Sequence, residues 1–68
     1  MENTFQKVHF RMYHEKEIPV LIGVEKWTFA NEIKRHKAKL GSKIGYYWTF
    51  EQVLMILKIF GIHYIVVE

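Results

Sequence analysis

The stretch Tyr47–Gly61, YWTFEQVLMILKIFG, decides how the rest of the chain is read. Thr49 is suited to cap a helix, because its hydroxyl can accept from a first-turn amide that otherwise has no partner. Gln52 stands three residues on and completes a capping box. Trp48, just before the cap, is placed to pack on Val53 as a hydrophobic staple. These signals predict a helix over 49–60, stopped by Gly61.

The tripeptide WTF also occurs at Trp27–Phe29, in KWTFANEIKRHKAKLG, so an internal duplication has to be considered. Thr28 makes only part of the same case. Its third neighbour is Asn31, a weaker box partner, and Glu32 cannot staple Trp27. After the tripeptide the two hydrophobic patterns diverge. WTF therefore reads as two helix entrances rather than a repeat.

The first of these helices is expected over 28–40, with Gly41 just past its end. Phe29, Ile33, His36 and Leu40 share one stripe at 100° per residue, and Lys34, Arg35, Lys37 and Lys39 spread over the remainder. That describes a surface helix with a basic outer face. The second helix has its core arc at Phe50, Val53, Leu54, Ile56, Leu57 and Phe60. Met55 and Ile59 face away from that arc, alongside Glu51 and Lys58. One sheet covers one side of a helix, so Met55 and Ile59 call for a second cover.

The flanking segments read as strands. In TFQKVHFRMY, residues 4–13, Val8, Phe10 and Met12 alternate with Lys7, His9 and Arg11. The polar HEKE reads as a turn. IPVLIGV follows as a second strand, with Ile18, Val20, Ile22 and Val24 on one face and Pro19 marking an edge. Together these predict an N-terminal hairpin. The aromatic run at Tyr46–Trp48 suggests a short third strand. IHYIVVE, residues 62–68, closes the chain as a strand that is apolar on both faces, as in a sheet interior or at a covered edge. The expected fold is α+β in the order β-β-α-(β)-α-β: a small sheet of three or four strands, with two helices packed on one face.

Bulk properties bound the function. Sixty-eight residues make a single small domain, 1–68, and half of them are hydrophobic. The absence of cysteine rules out a disulfide staple and fits a reducing compartment. The start, MENTFQKVHF, has an early acid and no apolar run, which argues against a secretory signal. The longest apolar stretch, Val53–Val67, is shorter than the ~20 residues of a membrane span and is interrupted by Lys58, Gly61 and His63. The expected location is the cytoplasm, with no membrane span. Eight Lys and two Arg against seven Glu give a net charge of +3, which admits an anionic partner without requiring one.

Catalytic and metal chemistry find little support. There is one serine, Ser42, with no cysteine or aspartate, so the usual nucleophile triads lack parts. No phosphate-cradling glycine loop is present, and the chain is expected to be too short to enclose a pocket of ~300 Å3 while keeping a core. His9, His14, His36 and His63 lie in four separate elements, without an i, i+4 pair, so neither a metal nor another cofactor is expected. His36, in the apolar stripe of the first helix, reads as a half-buried histidine. No family motif can be quoted. In size and composition the chain resembles small accessory proteins of bacteria and phages, a likeness of class alone.

Two functional expectations remain. The leading one is a non-enzymatic protein-binding module, either a homo-oligomer or a small adaptor or inhibitor docking on a larger protein. Its contact groups would be Tyr46, Tyr47, Met55, Ile59 and the last strand at Tyr64, Ile65 and Val67. The alternative is a nucleic-acid-binding module that uses Lys34, Arg35, Lys37, Lys39 and Lys43 to neutralise phosphates, with Tyr46 and Tyr47 stacking on bases. No small-molecule substrate is expected.

Overall fold

A computed structural model of the chain describes residues 5–67. The elements run β1 (Gln6–His9), β2 (Tyr13–His14), α1 (Glu17–Ile22), α2 (Lys26–Arg35), α3 (Lys37–Leu40), β3 (Tyr47–Trp48), α4 (Phe50–Ile59) and β4 (Tyr64–Val67). The fold is a small α+β arrangement. Thr4 and Glu68, where the first and last predicted strands begin and end, lie outside the described residues.

α4 forms as its sequence requires. Thr49 Oγ1 accepts from the Gln52 amide at 3.2 Å, and Gln52 Oε1 accepts from the Thr49 amide at 3.0 Å, so the box closes in both directions. Val53, Ile56 and Leu57 are fully buried. Each contributes on the order of 1.5–3 kcal/mol of burial energy. Trp48 and Val53, the expected staple pair, are both in the core, with Val8, Tyr13, Ile18, Phe29 and Leu40. α4 packs on α3 and β3. At its end Gly61 takes φ 69°, Gly61 N–H donates to Lys58 and Ile62 N–H to Leu57. This is the paired closure of a Schellman motif, and it needs a left-handed residue.

The segment expected as a second strand is a helix, α1. Pro19 stands in its first turn, where a missing N–H costs no intrahelical bond. Gly23 ends it at φ 68°, with Gly23 N–H on the Val20 carbonyl at 3.3 Å and Val24 N–H on the Pro19 carbonyl at 3.0 Å. That is a second Schellman closure. Ile18 is buried, while Val20 is among the most exposed apolar side chains.

Among the described residues the predicted N-terminal hairpin is therefore absent. β1 pairs in parallel with β4 in the register Gln6–Tyr64 to His9–Val67. β2 pairs antiparallel with β3, Tyr13 opposite Trp48. Among the described residues, two sheets of two strands stand in place of one sheet of three or four, and four helices in place of two. β1 stops at His9, where Arg11 N–H turns back to the His9 carbonyl at 2.8 Å. Val8 is buried as expected, but Phe10 and Met12 are exposed and Tyr13 takes the inward position.

The first WTF also differs from expectation. α2 begins two residues earlier than Thr28, with Glu25 at the cap position and no side-chain cap bond. The expected single helix to Leu40 is interrupted at His36, which has φ −110° and ψ 16°. Phe29 and Leu40 still reach the core, and Phe29 stacks on Phe60 at 5.7 Å.

Candidate protein-contact surface

Which backbone groups of the β1–β4 sheet face outward follows from one bond. Gln6 N–H donates to the His63 carbonyl at 2.9 Å, and the parallel register carries that pattern along both strands. In parallel pairing, alternate residues turn N–H and C=O toward the neighbour. Ile65 and Val67 therefore bond to β1, while Tyr64 and Val66 turn their backbone groups outward. On β1, Gln6 and Val8 face β4, and Lys7 and His9 face outward.

The two outer edges differ chemically. On β1 the His9 N–H is already taken by the Tyr13 hydroxyl at 2.9 Å, and Lys7 is exposed. The Tyr13 ring is held by β2–β3 pairing and by the Arg11 guanidinium 3.8 Å above it. A lysine and a satisfied N–H blunt a strand edge. On β4 no partner is found for the outward groups of Tyr64 and Val66 among the described residues. The four residues of β4 carry no charge, and Ile65 and Val66 are 46% and 47% exposed.

The expected contact residues fall in three places. Tyr64, Ile65 and Val67 stand together on β4; Tyr64 packs partly against the core, and Val67 lines a shallow depression with His9, Phe10 and Arg11. Met55 and Ile59 lie on α4 beside His36, Lys39 and Lys58. Ile59 is covered in part by the chain's own core, so only Met55 of the pair is exposed. Tyr46 and Tyr47 sit at the β2–β3 corner, with their rings 6.0 and 5.2 Å from that of His14. Val66 is the residue that sequence reasoning passed over. Its period-two relation to Tyr64 was the available signal. Phe10 was also missed as a surface group: it is 75% exposed and rests edge-on against Phe50 at 4.8 Å.

The basic residues do not form one groove. Lys34, Lys37 and Lys43 line a single depression with Gly41, Ser42 and Gly45. Lys39 lies instead with Lys58. Arg35 pairs with Glu32 at 3.2 Å and Lys43 with Glu15 at 3.0 Å.

A groove of about 670 Å3 runs between α1 and α2 over Trp48, with Lys16, Lys26 and Lys43 among its lining residues. It opens at the surface, and so differs from the enclosed pocket that so short a chain was expected to lack. Trp48 Nε1 is the one buried side-chain polar atom without a partner among the described residues. No group of three or more His, Asp or Glu among those residues is arranged to hold a metal ion, and no described helix is long and apolar enough to cross a membrane.

No protein-family model, curated protein or solved structure matches the chain.

Proposed function

We propose that the chain is a non-enzymatic protein-binding module that accepts a strand at the outer edge of β4. The observation that carries this reading is the outward backbone of Tyr64 and Val66, without a partner among the described residues, on an uncharged, half-exposed strand. Strand addition draws affinity from main-chain bonds and selectivity from alternate side chains, and needs no enclosed pocket. The charge of Lys7 and the His9 N–H already bonded to Tyr13 on the β1 edge support β4 as the side that acts.

Val66→Pro tests this directly. It removes an outward N–H and leaves the bonds that Ile65 and Val67 make to β1, and proline is tolerated at an edge facing away from its neighbour. Chemical cross-linking is run on the purified protein and on the protein in host lysate. The expected result is that complexes of the wild type vanish in Val66→Pro, while the two proteins share one unfolding midpoint when measured at a dilution at which the wild type is uncomplexed. Complexes that persist in Val66→Pro, or a wild type that forms none under either condition, overturn the reading.

A second reading has one specific observation in its favour, the convergence of Lys34, Lys37 and Lys43 on one depression. Under that reading the chain binds nucleic acid through phosphate contacts that weaken with salt. Lys34→Glu with Lys37→Glu then abolishes oligonucleotide binding. Absence of binding by the wild type at ~50 mM salt ends it.

A further inference from the structure

We infer that the strand received by β4 belongs to a second copy of this chain, paired antiparallel about a two-fold axis through Ile65. The inference rests on the strand-addition reading and names its partner. The outward residues, Tyr64 and Val66, flank Ile65 on either side. In an antiparallel pair the residues that exchange bonds alternate with those that do not. With Ile65 on the axis, Tyr64 exchanges both backbone bonds with Val66 of the second copy, and Val66 exchanges both with its Tyr64. Every outward group of β4 is then satisfied by the same residues of the other chain. An axis through Tyr64 or Val66 leaves one of the two without its counterpart inside the strand.

Side chains and charge favour the same arrangement. The Ile65 pair meets at a non-bonded position, where side chains stand closest, and each Tyr64 lies opposite a β-branched Val66. The chain carries a net charge of +3, so two copies repel in general, and β4 is an edge across which no like charges meet. Pairing by β1 would instead set Lys7 at the junction, beside a His9 N–H already donated to Tyr13. The product is a four-stranded sheet in the order β1-β4-β4-β1.

The absence of cysteine makes the test clean. Ile65→Cys places one thiol on the axis, at a separation of about 4.5 Å between Cα atoms, within the range a disulfide spans. Val20→Cys, at an 82% exposed site on α1, reports random collision. Under mild oxidation at equal protein concentration, Ile65→Cys is expected to form covalent dimer at least about tenfold faster than Val20→Cys, because assembly raises the local thiol concentration. In parallel, sedimentation of the cysteine-free wild type should climb with concentration toward twice 8.3 kDa. Equal oxidation rates, or a wild type monomeric at every concentration, overturn the second-copy assignment. If a complex with another protein is nonetheless lost in Val66→Pro, strand addition stands and only the identity of the occupant fails. If no Val66-dependent complex forms at all, both fail.

Discussion

Gln52 binds the start of α4 to the end of α3: its Nε2 donates to the Leu40 carbonyl oxygen at 2.9 Å. The same amide nitrogen reaches the Ser42 carbonyl at 3.1 Å, while Oε1 holds the Thr49 N–H. One side chain thus closes a capping box and pins the loop that leads into β3. A capping box accepts Glu as readily as Gln, but two carbonyl oxygens here require a donor. Gln52→Glu should therefore destabilise the fold by about 1–3 kcal/mol even though it retains the box acceptor. Urea unfolding measures this, and a neutral result would show that the Leu40 and Ser42 contacts contribute nothing.

The two WTF tripeptides give a matched pair. Thr49→Ala should cost about 1 kcal/mol through loss of the cap. Thr28→Ala, at an exposed position already inside α2, should fall within about ±0.5 kcal/mol. Thermal unfolding of the two variants side by side tests the contrast.

Gly23 and Gly61 have nearly the same backbone, φ 68° and 69°, and a Cβ at either meets nothing within 4 Å. Substitution by alanine then costs the left-handed backbone alone, about 1–2 kcal/mol at each site. Equilibrium unfolding should show equal losses at the two positions. A much larger loss at one would point to a contact that the open space around both glycines does not supply.

Adjacent residues of α4 should separate stability from assembly. Ile56→Ala opens a fully buried site and should lose about 2–5 kcal/mol. Met55→Glu, on the patch beside Lys39 and Lys58, should leave both the unfolding midpoint and the sedimentation behaviour unchanged. Loss of assembly in Met55→Glu would move the contact surface from β4 to α4.

The legible parts of the fold were those fixed by local chemistry. The Thr49–Gln52 box, the Gly61 stop and the apolar arc of Val53, Ile56 and Leu57 can be read without knowing what surrounds them. The stretch Ile18–Val24 could not be read from its alternation, because a six-residue helix is too short to display a 3.6 period. Pro19 early and Gly23 late were the better signal, the asymmetry of a helix with proline inside its start and glycine past its end. Strand partnership was not legible at all. β1 and β4 are separated by nearly the whole chain, and nothing local in QKVH or YIVV names the other. The contact surface follows that limit. Tyr64, Ile65 and Val67 could be chosen for their apolar character, but the outward role of Val66 depends on which side of β4 the first strand occupies.

Amide hydrogen exchange along β4, residue by residue and across a concentration series, is the most direct measurement. Ile65 and Val67, bonded to β1, should be protected at every concentration. Tyr64 and Val66 should exchange freely when dilute and become protected as concentration rises. Exchange of Tyr64 and Val66 at the unprotected rate throughout, in a protein whose Ile65 and Val67 are protected, would contradict pairing of β4 with a second copy.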